Sequence, residues 1–151
     1  MTEQPEILYI YIAGSYHRRD EFRERAAEMA SDGHHVTSSW LQGNYSTTAQ
    51  VADYTREQLN LFASNDLWDI DGSDVLVLFS DAPMYARGGK HFETGYAYQA
   101  GIPIIVIGDI EYAFHALPCV HQFDTWQAAR QALNEWKTYL IAGRCDLING
   151  D

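Results

Sequence analysis

Short β-rich runs alternate with helical patterns along this chain, and that alternation limits the possible folds more than any other feature. ILYIYIA (7–13) reads as a first strand, and DEFRERAAEMAS (20–31) as a helix with Phe22, Ala26 and Met29 on one face and Gly33 as its stop. HVTSSW (35–40) reads as a second strand, and 49–63 as a second helix with Val51, Leu59 and Phe62 as core candidates. VLVLF (75–79) is continuous enough for a strand buried on both faces. A short helix over 92–100, closed by Gly101, leads to a fourth strand over 103–107 and a short fifth over 120–123. A final helix spans 125–141, with Asp124 as its N-cap and Gln127 completing a capping box.

Alternating units of this length predict an α/β fold, a single doubly wound domain of flavodoxin or Rossmann-like type over 1–151. Right-handed crossovers favour a five-stranded parallel sheet of order 2-1-3-4-5 with helices on both faces. In that order a ligand binds beside the carboxyl ends of strands 1 and 3. The loop after strand 1 is GSYHRR (14–19), and the loop after strand 3, SDAPMYARGG (80–89), runs directly into Glu93. The segments that carry chemistry therefore converge on one crevice.

Charge narrows the class of ligand. With 21 Asp and Glu against 10 Lys and Arg the formal charge is −11, a field that repels long polyanions. No nucleic acid polymer and no anionic membrane is expected as partner, whereas one phosphate is within the reach of a few local cations. The apolar runs are strand-sized, far short of a membrane span. The N-terminus carries no basic n-region, and Cys119 and Cys145 form neither a CxxC nor a disulfide framework, so a cytoplasmic location is expected.

Glu93, in GGKHFETGYA (88–97), is the most informative residue. On a helix starting near Lys90 it lies in the first turn, where the helix dipole favours ionisation. Ala97 and Ala100 follow at i+4 and i+7, so the carboxylate shares a face with small residues and is either desolvated or pointed into a cavity. Gly88, Gly89 and Gly95 leave room for a ligand against the backbone.

Gly14 and Ser15 open a turn whose N–H groups and hydroxyl can hold a phosphate or a sugar oxygen, and His17, Arg18 and Arg19 add positive charge. The same residues also suit an ordinary strand-to-helix turn with solvated arginines. SNDLWDIDGSD (64–74) brings four carboxylates, Asp66, Asp69, Asp71 and Asp74, just before strand 3. Asp74 opens the strand, and any of the others that reaches the crevice supplies the second acid that glycosidic chemistry needs. Tyr11 and Trp40, near the carboxyl ends of their strands, serve either as core aromatics or as surfaces for a base. His91-x-Glu93 with Pro118-Cys119 matches the start of a zinc deaminase pattern, but Gln122 stands where the third ligand belongs. His34 and His35 are adjacent and point to opposite faces, so neither a metal nor another cofactor is expected.

These segments together resemble the nucleoside 2-deoxyribosyltransferase family, including its deoxynucleoside 5′-monophosphate N-glycosidase branch, over roughly 8–108. Tyr11-Ile-Ala-Gly14-Ser15 resembles the family's first-strand YxxG segment. Asn65-Asp66-Leu67, with Asp74 eight positions after Asp66, resembles its sugar-binding and acid segment, and Glu93-Thr-Gly95-Tyr-Ala97 its ExGxA nucleophile motif. The resemblance implies that Glu93 attacks C1′ of a deoxyribose, that Asp66 contacts the sugar and protonates the leaving base, and that Tyr11 orients Glu93. It also implies substrate-binding roles for Gly14, Ser15, His17, Arg18, Arg19, Trp40, Asp69, Arg87, Gly88 and Gly89. Two departures stand out. Arg87 replaces the small residue or carboxylate found six positions before the nucleophile, and the C-terminal stretch that transferases lend to a neighbouring subunit has no clear match.

The function so implied is cleavage or exchange of the N-glycosidic bond of 2′-deoxynucleosides or their 5′-monophosphates. It would pass through a covalent intermediate on Glu93, with water or a second base as acceptor, in a homodimer or larger homo-oligomer. A non-catalytic nucleotide-binding or sensing domain on the same fold is the alternative.

Overall fold

A computed structural model describes residues 7–43, 51–82 and 88–135 of the chain. Arg87, Cys145 and the expected helical residues 49–50 and 136–141 lie outside those segments. The elements run β1 (Tyr9–Ala13), α1 (Arg19–Ser31), β2 (His35–Val36), α2 (Arg56–Asp71), β3 (Val75–Phe79), α3 (Gly89–Gln99), β4 (Ile104–Ile107), β5 (Val120–Phe123) and α4 (Trp126–Glu135). The sheet order is β2-β1-β3-β4-β5 with every pair parallel, the doubly wound α/β order expected from the alternation.

Side-chain alternation divides the core into two layers. Ile10 and Ile12 of β1 and Val75, Val77 and Phe79 of β3 pack against Phe22 and Met29 of α1 and Trp126, Ala129 and Leu133 of α4. Tyr11 and Ala13 of β1 and Leu76 and Leu78 of β3 face the opposite way, onto Ile70 of α2 and Ala97 of α3. The central strands are apolar on both faces because helices cover both, and β3 is buried at all five positions. Arg130 of α4 ties the first layer together, its guanidinium bonded to Asp32 at 2.7 and 2.8 Å and to Glu28 at 2.8 Å.

Three elements differ from their sequence reading. The second helix starts at Arg56 and runs to Asp71, not over 49–63. A capping box sets its start: the Gln58 N–H donates to Thr55 Oγ1 at 3.1 Å, and the Gln58 side chain accepts from the Thr55 N–H at 2.9 Å. Only Ile70 of this helix is buried, so apolar periodicity marks its ends poorly. The second strand stops at Val36 because the Ser38 hydroxyl, not a backbone carbonyl, accepts from the Ile12 N–H at 2.5 Å. The chain then turns into a 3₁₀ segment, Ser39–Gln42, and Trp40 stands there and not on a strand. At α4 the capping oxygen is Thr125 Oγ1, which accepts from the Ala128 N–H at 3.2 Å, while Asp124 accepts from the Gln122 amide.

Candidate active site

The alternation of β1 decides where the site forms. Tyr11 points toward the layer of α2 and α3 and is fully buried, yet its hydroxyl reaches the edge of that layer and donates to Glu93 Oε2. It is therefore both a core aromatic and a site residue.

Glu93 is the fifth residue of α3, which begins at Gly89 with Gly88 as N-cap, and so it lies one residue deeper than the sequence reading placed it, just past the first turn. The dipole of the first turn does not hold it ionised. Burial raises its pKa to about 8, an effect that the Tyr11 hydrogen bond opposes and the nearby Asp66 charge reinforces. Ala97, at i+4, is the buried small residue beside it, whereas Ala100 caps the helix end and is exposed. Gly95, two residues on, faces away from Glu93. A Cβ at Gly88, Gly89 or Gly95 would meet nothing within 4 Å, so no packing within the described chain requires these glycines.

The true limits of α2 bring Asp66 to the same place. Asp66, Asp69 and Ile70 fall at i, i+3 and i+4, on the side of α2 that Ile70 turns to the sheet. Burial and the charge of Asp69 push Asp66 up to about 7. Asp69 is itself engaged: its Oδ2 accepts from the Ser39 N–H at 2.9 Å and the Ser39 hydroxyl at 2.5 Å. Its observed part is to fix the turn that carries Trp40 and to bias Asp66 toward its protonated form. Burial, with the charges of Glu93 and Asp66, raises the Tyr11 pKa far above its ordinary value, so Tyr11 remains a proton donor. The site thus holds two carboxyl groups that both resist ionisation, and one phenol aimed at Glu93.

The outer two carboxylates of the 64–74 segment stay structural. Asp71 accepts from the Tyr96 hydroxyl at 2.7 Å, and Asp74 accepts from the Tyr9 N–H at 2.9 Å, joining β1 to the start of β3. Trp40 is fixed by an indole N–H bond of 2.9 Å to the Ile12 carbonyl and packs against both core layers.

The loop after β1 is more committed than its sequence suggests. Gly14 is required by a neighbour: a Cβ there would lie 2.4 Å from Phe22 Cε2, inside the core. Ser15 donates to Asp81, and the Arg18 guanidinium bonds Asp81 Oδ1 at 2.9 Å, the Ser80 carbonyl at 2.8 Å and Glu21 at 2.7 Å. Arg19 bonds the Tyr16 hydroxyl and, at 3.2 Å, the Gly43 carbonyl. These arginines are half-buried, and each ties the turn to another part of the chain, whereas His17 is exposed.

Sequence reasoning missed the group that organises this corner. Lys90 of α3 is 3% exposed, and its ammonium meets Asp81 at 2.9 Å and Glu111 at 2.6 Å. Burial alone would raise Asp81, but hydrogen bonds from Ser15, Lys90 and Arg18 hold it at about 2. Glu111 is held below its ordinary value in the same way, chiefly by Lys90, against the effect of burial. A lysine among GGKHFE carries no local sign of burial, because both its partners come from other loops. His91 turns toward this group as well: its Nε2 lies 3.6 Å from Glu111, and its ring packs on Tyr112 and His115. His91 and Glu93 therefore do not face a common ion. His34 and His35 do point apart, His34 buried with Nδ1 accepting from the Leu8 N–H and His35 packed in a tilted contact against Tyr9.

No protein-family model matches the chain, and no curated protein matches it in sequence. Two solved structures are similar to it. A 2-deoxyribosyltransferase of Bacillus psychrosaccharolyticus matches with a TM-score of 0.64 and 19% identity over 81% of this chain and 90% of its own. The CMP N-glycosidase BcmB of Clostridium botulinum matches with a TM-score of 0.52 and 17% identity over 83% of this chain and 97% of its own. At such identities the likeness is one of architecture, and this chain is a five-stranded parallel α/β protein of the fold those two structures share.

Proposed function

We propose that the protein cleaves or exchanges the N-glycosidic bond of 2′-deoxynucleosides or their 5′-monophosphates, with Glu93 as nucleophile and Asp66 as acid. The observation that carries this reading is the meeting of Glu93, Tyr11 and Asp66 at the carboxyl edge of the sheet. One carboxyl group is aligned by a phenol, and a second has its pKa raised to about 7. The structures similar in fold are a 2-deoxyribosyltransferase and a CMP N-glycosidase, and they support the same class of bond.

In the first step a Glu93 carboxylate oxygen forms a bond to C1′ while the bond from C1′ to the base nitrogen breaks. The Asp66 proton goes to the departing base. Tyr11 favours the ionised form of Glu93 that this attack needs. In the second step Asp66, now ionised, takes a proton from water or from an incoming base as that group attacks C1′ and releases Glu93. Two inversions give net retention. The oxocarbenium-like character of both steps disfavours a 2′-hydroxyl, which withdraws electrons from C1′, so deoxyribosides react faster than ribosides.

The protein works as one domain and at least a homodimer in this reading. α2 buries only Ile70 and leaves Leu61 and Trp68, seven residues apart, 58% and 78% exposed, an apolar stripe that suits a second copy. Light scattering that finds an active monomer rejects the dimer. Among the described residues no helix is long and apolar enough to cross a membrane.

The deciding experiment is chromatography of products from a panel of deoxynucleosides and monophosphates, with and without an acceptor base. Mass mapping of an adduct from a 2-fluoro-2-deoxyribosyl substrate accompanies it. Base release with label on Glu93 supports the reading. Ligand binding without any turnover favours the sensing alternative.

A further inference from the structure

Tyr11 and Ser15 lie four residues apart at the end of β1, and Glu93 and Lys90 three residues apart on α3. The two elements meet twice: directly at Tyr11 and Glu93, and through Asp81, which accepts from both Ser15 and Lys90. Residues three apart on a helix share a face, with about 4.5 Å of rise between them. A pentose bonded at C1′ to Glu93 has the length to carry its exocyclic 5′ carbon toward the second meeting point.

That corner has the chemistry of a phosphate site: a hydroxyl, a guanidinium and an ammonium converge there on one anion. The anion is the chain's own. Asp81 is 8% exposed at its side chain and takes Ser15 and Lys90 on Oδ2 and Arg18 on Oδ1. The two cations are already matched by Asp81, by Glu111 on Lys90 and by Glu21 on Arg18, so among the described residues that form the corner no positive charge is left over. A phosphate dianion entering here would displace Asp81 into an acidic surrounding or lie beside it, and like charges in contact oppose both.

We propose that Asp81 selects for an uncharged 5′ end: its carboxylate fills the corner built by Ser15, Arg18 and Lys90, so a 2′-deoxynucleoside is accepted and its 5′-monophosphate is not. This rests on the glycosidic reading above. It reassigns the basic loop from holding a substrate phosphate to holding an internal substitute for one. A free 5′-hydroxyl still finds a carboxylate acceptor there.

The test compares kcat/KM for a deoxynucleoside and its 5′-monophosphate in the wild type, Asp81→Asn and Asp81→Ser. The wild type should favour the nucleoside by about tenfold or more. Asp81→Ser, which removes both charge and bulk, should move that ratio about tenfold or more toward the monophosphate. Asp81→Asn, which keeps the shape and is the safer fold, should move it the same way by less. A wild type that prefers the monophosphate overturns the proposal, and so does a ratio that neither variant changes. Calorimetry with 2-deoxyribose 5-phosphate against 2-deoxyribose needs no turnover and separates the two hypotheses. If no substrate reacts, the glycosidic reading fails. The Asp81 inference then stands when only the variants bind the phosphate ester more tightly than the sugar, and falls when the wild type does. If neither variant folds, the wild-type preference decides.

Discussion

The Tyr11 hydroxyl donates to Oε2 of Glu93, joining residues 82 positions apart on β1 and α3. Both groups are desolvated, so the bond is made where water competes least, and it works against the burial that raises Glu93. In the proposed reaction the relationship gives Tyr11 a part that can be measured apart from its packing in the core.

Tyr11→Phe keeps the ring in its layer and removes only the donor. The variant should fold, lose about 10–100-fold in kcat, and show its alkaline limb displaced to higher pH, because Glu93, the higher-titrating member of the pair, loses the bond that favours its ionised form. A pH profile identical to that of the wild type would assign Tyr11 to packing alone.

The pair of raised carboxyl groups predicts a bell-shaped dependence of kcat/KM on pH. The working state carries one proton over Glu93 and Asp66, so activity should peak between about 7 and about 8. It should fall below that as both become protonated and above it as both ionise. Asp66→Asn should cost about 100-fold or more with a poor leaving base and much less with an activated one. Equal losses for both leaving groups would remove Asp66 as the acid.

Glu93→Gln should abolish turnover, by about a thousandfold or more, and should also change the pH dependence of stability. The folded-state pKa of Glu93 lies above its ordinary 4.5, so the folded protein binds more protons and loses stability as pH rises from 4.5 through about 8. The Gln variant escapes that loss. It should match the wild type near pH 4 and exceed it by roughly 2 kcal/mol at pH 9 in denaturant melts. A constant difference across that range would show that Glu93 is not desolvated.

Lys90→Ala leaves Asp81 and Glu111 buried without their shared cation. The expected cost is about 3–5 kcal/mol in urea unfolding, far beyond that of a surface lysine. A loss below about 0.5 kcal/mol would place Lys90 in solvent.

Gly14→Ala forces a methyl against the Phe22 ring, which Phe79 holds from behind at a centroid distance of 4.7 Å. The variant should lose about 1–3 kcal/mol, and Phe22→Leu in the same chain should recover part of it. Additive losses in that double-mutant cycle would contradict the contact.

Strand order and the crevice proposed for the site could be read from the sequence, because they rest on local alternation and on the handedness of crossovers. β3 and β4 stand where their apolar runs are, and Glu93 lies beyond the end of β3 as the order requires. The limits of α2 could not be read the same way, since a helix with one buried residue has no core-facing stripe to mark it, and its start rests on the Thr55 and Gln58 cap. That displacement of α2 turns Asp66 from a loop carboxylate into a group beside Glu93. Tertiary structure alone decided the protonation of the site, because desolvation of Glu93 and Asp66 depends on what α2, α3 and β1 bring around them. It also decided the corner of Ser15, Arg18, Asp81, Lys90 and Glu111, whose members come from four separate segments. Charge pairing acts through space, and along the chain Asp81, Lys90 and Glu111 look like ordinary solvated side chains.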